Sequence, residues 1–202
     1  MGTGTVIVAA GLSSRMKGYK PLMEIGGVTV AHRVADAFAA AGVTPIVFVT
    51  GYRADELEAH LSEHVKNGEG GAPLFVRNES YASTTMYESA KIGLSYIMGM
   101  CARTFFCPVD VPLFTADTVR ALMESSARIV KPVCKGREGH PILMDAKLIP
   151  AITGPFHPDG LKAALRGFES VTEYVEVSDE GILYDADTPA DMARLKGKLA
   201  KI

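Results

Sequence analysis

The stretch Val6-Ile7-Val8-Ala9-Ala10-Gly11-Leu12-Ser13-Ser14-Arg15-Met16, followed by Lys20-Pro21-Leu22, decides how the rest of the chain is read. Its opening is a short apolar run that suits a buried strand, and the run stops at a turn of small residues. Small side chains let backbone N–H groups approach a ligand closely. Two cations, Arg15 and Lys20, sit within reach of that turn. The arrangement suits a bound polyphosphate. It is not a P-loop, because no Gly-Lys-Ser/Thr occurs nearby, and Gly11 as the turn's one glycine excludes the dinucleotide fingerprint.

Outward from this turn, strands alternate with helices. Val6 to Ala9, Ile46 to Val49, Leu74 to Val76 and Thr104 to Cys107 read as apolar strands. Helices are expected over Val30 to Ala41, ending at Gly42, and over Ala54 to Val65 with Leu57, Leu61 and Val65 on one face. Another spans Met86 to Met100 with Ile92, Tyr96 and Met100 in register, and a fourth spans Thr115 to Ser125 with Thr115 as its cap. Asn67 to Ala72 is a Gly-rich loop. Ile129-Val130 and Ile142-Leu143-Met144 flank the turn-like Lys135 to Gly139, and either form a hairpin or pair with other neighbours. Leu161 to Phe168 reads as helix, Val171 to Val177 as strand, and Pro189 to Leu199 as the closing helix.

Short apolar strands alternating with helices imply a mostly parallel sheet covered on both faces, with at least one antiparallel strand near the 129–144 region. No linker divides the chain, so residues 1–202 read as one domain. Ligands in such sheets lie beyond the carboxyl ends of the strands. That rule gathers the turn after the first strand, the segment Asn78 to Thr85, and the loop Pro108 to Pro112.

The formal charge is −2, from 21 basic and 23 acidic residues, which argues against a nucleic-acid or polybasic membrane binder. No apolar run reaches the roughly 18 residues of a membrane span. Cys101, Cys107 and Cys134 are odd in number and form no C-x-x-C pair, as expected of buried thiols in a reducing cytoplasm.

Asp110 follows a strand and lies between Pro108 and Pro112, which stiffen its loop. A single rigid carboxylate there suits Mg²⁺, which binds through one or two carboxylates plus substrate phosphates. Asp185 and Asp187 would face the same side of an extended strand, and one of them is also a candidate cap for the last helix. His140, in Gly139-His140-Pro141, is a candidate for positioning a second substrate.

Together these pieces resemble the MobA-like nucleotidyltransferase family, nearest to its molybdopterin cytidylyltransferase branch. The matching residues are Ala9 to Met16 with Lys20, Asp110 with Pro112, Gly139-His140-Pro141, and Asp185-Ala186-Asp187-Thr188-Pro189 with Asp191. The resemblance implies a Rossmann-like three-layer α/β/α sandwich of the nucleotide-diphospho-sugar transferase type. It implies NMP transfer from an NTP to a phosphorylated small-molecule acceptor, with release of pyrophosphate. The first loop (Ala9, Ala10, Gly11, Leu12, Ser13) would bind base and triphosphate, and Asp110 and Asp187 would hold Mg²⁺. Arg15 would steady the leaving pyrophosphate and Lys20 the α-phosphate. The Ala9-Ala10-Gly11 start leans toward CTP over GTP. Three elements depart from the pattern: Lys17 precedes Gly18 after Arg15-Met16, His157 to Lys162 replaces a Gly-Asp-x-Gly-Ala-Arg element of the pterin branch, and the segment Asn78 to Thr85 differs as well. Asn78 to Thr85 lacks the branch's Gly-x-Ser-x-Ser pattern, although the hydroxyls of Ser83 and Thr84 can still meet base and ribose. Competing readings are a nucleotide-sugar glycosyltransferase using Asp185-Ala186-Asp187, a sugar-phosphate or phosphocholine nucleotidyltransferase, and a nucleotide-binding module without chemistry.

Overall fold

The computed structural model describes residues 2–16, 18–65 (the last two by backbone only), 72–154 and 160–199. Lys17, residues 67–71 and residues 157–159, each singled out in the sequence, lie outside the described residues. The strands are β1 (Thr3–Val8), β2 (Glu24–Ile25), β3 (Val28–Thr29), β4 (Ile46–Thr50), β5 (Leu74–Arg77), β6 (Arg103–Pro108), β7 (Ile129–Cys134), β8 (Arg137–Glu138), β9 (Ile142–Asp145) and β10 (Thr172–Glu176). The α-helices are α1 (Val30–Ala40), α2 (Ala54–Val65), α3 (Met86–Ile97), α4 (Ala116–Glu124), α5 (Ile149–Thr153), α6 (Gly160–Arg166) and α7 (Pro189–Leu199).

The main sheet has the order β10-β7-β9-β6-β1-β4-β5, with β8 attached to β7. β1 pairs parallel with both β4 and β6, β4 with β5, and β7 with β10. β9 runs antiparallel between β6 and β7. Both pairings left open for the 129–144 region occur: Ile129 and Val130 pair antiparallel with Met144 and Leu143 of β9, and each segment also takes other neighbours, β9 pairing with β6 and β7 with β10 and β8. The short β2–β3 hairpin and helix α5 were not anticipated from sequence.

The period-two alternation of β1 explains the layers. Val6 and Val8 enter a core with Leu94 and Ile97 of α3, Ile152 of α5 and Leu165 of α6. Ile7 and Ala9 enter the opposite core with Val34 and Phe38 of α1, Leu57 of α2, Leu122 of α4 and Leu195 of α7. The result is the expected α/β/α sandwich. Each large side chain buried in these cores contributes about 1.5–3 kcal/mol.

Helix α3 corrects the sequence reading. It ends at Ile97, not Met100, and its buried face is Ala90, Gly93, Leu94 and Ile97. Tyr96 and Met100 are exposed. Gly93 decides the face, because a Cβ there would lie 2.4 Å from Val6 Cγ1 and 2.5 Å from Val49 Cγ2. The helix can therefore lie close on β1 and β4 only along that stripe.

The chain adds β4 and β5 on one side of β1 and then crosses to place β6 on the other. This reversal is a topological switch point, and it locates a crevice at the carboxyl ends of β1 and β6. No described helix is long and apolar enough to cross a membrane. All three cysteines are buried and free.

Candidate active site

At that switch point lies a cleft of about 270 Å³. Its lining comes from Ala9, Ala10, Gly11, Ser13, Ser14, Arg15 and Lys20 after β1, from Tyr81, Thr84, Thr85, Met86 and Ser89, from Pro108 to Asp110, and from Asp187. The three loops expected to converge do so.

The first loop holds its shape through its own small polar residues. Ser13 sits at φ +53°, its carbonyl accepts from Met16 N at 2.9 Å, and its Oγ accepts from Lys20 N at 3.1 Å. The Ser13 hydroxyl thus fixes the backbone of Lys20. Ala9 N–H is committed to Val49 O at 2.9 Å, so Ala9 lends the cleft room rather than a donor. Leu12 is 45% exposed and does not line the cleft. Ser83 is likewise exposed, outside the lining, and donates to Ser80 O. Thr84 does line it, held by Asn78 Nδ2 at 2.9 Å.

The charged centre joins the two ends of the chain. Lys20 Nζ lies 3.2 Å from Asp110 Oδ2 and 3.0 Å from Asp187 Oδ1. Arg15 Nη2 lies 3.1 Å from Asp187 Oδ2. The Lys20 side chain is 11% exposed, each aspartate 28% and Arg15 69%. Burial raises the Asp110 pKa above the ordinary aspartate value; Lys20 opposes the shift, and Asp187 and Asp185 add to it. Two carboxylates facing one cationic position are the donor set that a magnesium ion takes when substrate phosphates supply further oxygens.

Backbone contacts dock the late loop on the early one. Ala186 N donates to Asp110 O at 2.8 Å, which brings Asp187 to Lys20. Neither Asp185 nor Asp187 caps α7, as one of them was expected to do. Thr188 Oγ1 accepts from Asp191 N at 3.2 Å while Asp191 Oδ2 accepts from Thr188 N at 3.0 Å, a capping box that leaves Asp187 to the cleft. Asp185 is not in a strand, so the alternation argument does not apply; it is exposed and outside the cleft lining.

A second pocket of about 560 Å³ adjoins the first, with Thr85, Met86 and Pro108 lining both. Tyr87, Phe106, Ile142, Leu161 and Leu165 give it apolar walls, and Lys131, Glu138, His140 and Lys162 supply the polar groups. His140 stands edge-on to Phe106 at 5.9 Å, and burial lowers its pKa from 6.5 to about 4. It is therefore a neutral imidazole at pH 7, with Nδ1 shielded and unpartnered among the described residues. Gly139 allows the approach, since a Cβ there would lie 2.3 Å from Ile182 O, and His140 N donates to that same carbonyl at 3.1 Å. Lys131 Nζ lies 3.4 Å from Glu138 and 3.7 Å from Glu169. Burial disfavours the Lys131 charge, but Glu138, Tyr174 and Glu169 outweigh it and hold its pKa above the ordinary lysine value.

Sequence reasoning missed Met86, Ser89 and Lys131 as lining residues, and it placed the segment that holds Tyr81 and Thr85 at the site without singling either out. Thr85 and Lys131 carried a readable signal of their own. Thr85-Met86-Tyr87-Glu88 is a capping-box pattern, and Thr85 Oγ1 accepts from Glu88 N at the start of α3. Lys131 is a lone charge inside the apolar run Ile129-Val130-Lys131-Pro132-Val133.

Comparison with known proteins identifies the family and the fold. The chain is 28% identical over 199 residues to the molybdenum cofactor cytidylyltransferase of Escherichia coli (strain K12), covering 98% of this chain and 97% of that protein. It is 27% identical over 207 residues to the nicotine blue oxidoreductase of Paenarthrobacter nicotinovorans, covering 94% of each, although that name denotes a different reaction. A nucleotidyl transferase structure from Methanothermobacter thermautotroptrophicus superposes with a TM-score of 0.83 at 22% identity over 98% of both chains. The MobA-like NTP transferase domain matches residues 5–174, and with that match the chain belongs to the MobA-like NTP transferase family and is a nucleotidyltransferase.

Proposed function

We propose that this protein transfers a nucleoside monophosphate, CMP in preference to GMP, from an NTP to a phosphorylated small-molecule acceptor in a magnesium-dependent reaction, as a step in maturation of a molybdenum cofactor in the cytoplasm. Residues 1–202 act as one catalytic unit in this reading. The observation that carries it is the meeting of Lys20, Asp110 and Asp187 beside the small-residue turn. The chemistry is in-line attack by an acceptor phosphate oxygen on the α-phosphorus. A new P–O bond forms as the bond to the β-phosphate oxygen breaks, and pyrophosphate leaves with that electron pair. No bond to the protein forms.

The turn at Ala10 and Gly11 gives the nucleotide close access to backbone. Arg15, exposed on the cleft rim, meets the β- and γ-phosphates and steadies the leaving pyrophosphate. Lys20, anchored by Ser13, neutralises charge that develops at the α-phosphate. Asp110 and Asp187 would hold the magnesium ion, which would supply Lewis-acid neutralisation of phosphate charge. The adjoining pocket receives the acceptor, with neutral His140 as a hydrogen-bonding partner and the Thr85–Met86–Pro108 seam as the route between the two sites. The name of the full-length cytidylyltransferase relative and the Ala9-Ala10-Gly11 start support the cytidine preference. The exposed position of Asp185 outside the cleft gives no support to a glycosyltransferase D-x-D site.

The test is pyrophosphate release from CTP and GTP with and without Mg²⁺, each with molybdopterin, a sugar phosphate or phosphocholine as acceptor. Magnesium-dependent release from CTP with molybdopterin is expected. Release that needs only a sugar phosphate or phosphocholine would move the assignment to that acceptor, and no release from any pair would remove the reading.

A further inference from the structure

We infer that Lys20 is a built-in competitor for the divalent-cation position: without nucleotide its ammonium occupies the space between Asp110 and Asp187, and nucleotide phosphates draw it away and open that space to metal. The inference rests on the nucleotidyltransferase reading only for the identity of the anion. Its basis is geometric. A single ammonium lies 3.2 Å from one carboxylate and 3.0 Å from the other, on a side chain that is 11% exposed. The Lys20 backbone is fixed, with its N–H on Ser13 Oγ and Pro21 buried behind it, so only the flexible stem has to move.

Charge balance gives the direction. Arg15 and Lys20 together cancel Asp110 and Asp187. A divalent ion added alone would put uncompensated positive charge into a partly dehydrated site. A polyphosphate added with it supplies the balancing charge and a new partner for the displaced ammonium. Metal and nucleotide therefore bind with positive coupling, and the coupling is reciprocal. Arg15 cannot substitute for Lys20 in this role, because it reaches Asp187 and no ion pair joins it to Asp110 among the described residues.

The experiment is titration of nucleotide-free protein with Mn²⁺, with free Mn²⁺ read by electron paramagnetic resonance. Wild type should bind Mn²⁺ weakly, and a non-hydrolysable CTP analogue should tighten binding by about tenfold or more. Lys20→Met should bind Mn²⁺ alone about tenfold more tightly than wild type, and the analogue, after correction for the Mn²⁺ it chelates without protein, should tighten binding by a smaller factor than in wild type. Lys20→Arg should restore weak binding. Asp110→Asn combined with Lys20→Met should abolish the gain, which ties the signal to this site. Lys20→Met that melts like wild type yet binds Mn²⁺ no more tightly overturns the inference, as does a gain that survives Asp110→Asn. If Lys20→Met does not fold, Lys20→Gln carries the same comparison. Loss of pyrophosphate release in every assay, with the Mn²⁺ gain intact, would defeat the proposed reaction while leaving this inference standing.

Discussion

The two adjoining cavities share a seam at Thr85, Met86 and Pro108 but are lined by groups of different physics. The cleft after β1 is small, and its charges neutralise one another through Arg15, Lys20, Asp110 and Asp187. The neighbouring pocket is about twice as large, mostly apolar, and carries a neutral imidazole and a lysine already matched by two glutamates. The first site is electrostatically poised for a polyanion with a counter-ion. The second selects by shape and by a few hydrogen bonds, as small-molecule pockets commonly do. The proposed reaction uses both, because the triphosphate end is common to the chemistry while the acceptor end sets the product.

The largest effect that tests this contrast is on the charged side. Lys20→Ala should cost roughly 3–4 kcal/mol of transition-state stabilisation, as loss of an oxyanion donor does, with the melting temperature close to wild type. Pyrophosphate release is the measurement, and an unchanged rate would remove Lys20 from the chemistry. The acceptor side predicts a pH effect instead. His140 is neutral in the folded protein down to about pH 4, whereas in the unfolded chain it takes up a proton near pH 6.5. The unfolded state therefore binds more protons between these values, so His140 costs nothing above pH 6.5 and removes up to about 3 kcal/mol as the pH falls toward 4. His140→Gln should flatten the fall in melting temperature between pH 7 and pH 4.5. An identical pH profile in wild type and variant would mean that the imidazole is not held neutral.

A smaller effect tests whether the two sites are mechanically joined. Gly139→Ala would drive a Cβ into the Ile182 carbonyl, and the 3₁₀ turn Glu180–Leu183 that carries Ile182 leads directly to Asp187. A cost of about 1–3 kcal/mol is expected from such overpacking. If the turn transmits the shift, Mn²⁺ affinity measured with the CTP analogue should fall along with stability. A stability loss with unchanged affinity would show that the pocket and the cleft are independent.

The unequal legibility of the two sites follows from how each is assembled. The cleft is made where strands end, so the small-residue turn, Asp110 and Asp187 stand at positions that a pattern of strands and loops identifies. Its convergence could not be read, because it depends on a backbone bond from Ala186 to Asp110 between two loops far apart in sequence. The pocket draws on β6, β7, β9, α3 and α6, and its members are mostly ordinary core residues in sequence. Only Thr85, His140 and the lone Lys131 stand out. The face of α3 was misread for a similar reason. Ile92, Tyr96 and Met100 keep helical spacing, but the stripe that lies on the sheet is selected by the absence of a side chain at Gly93.

The smallest predicted effects sharpen the boundary of the charged site. Leu12, by its place in the first-loop motif, and Ser83, by its hydroxyl, were both assigned to nucleotide binding, yet both side chains lie outside the cleft lining. Leu12→Ala and Ser83→Ala should each change stability by no more than about 0.5 kcal/mol, as surface substitutions usually do. They should leave the KM for CTP within about twofold, since a factor of ten would need roughly 1.4 kcal/mol. Ser14 and Thr84, which do line the cleft, provide the contrast. Thr84→Ala removes one of the two acceptors of Asn78 Nδ2, leaving Ser89 Oγ, and so disturbs the wall as well as the proposed ligand contact. If Leu12→Ala raises the KM for CTP more than Thr84→Ala does, the loop after β1 must close over the nucleotide in a conformation that turns Leu12 inward, and the cleft described here is its open form.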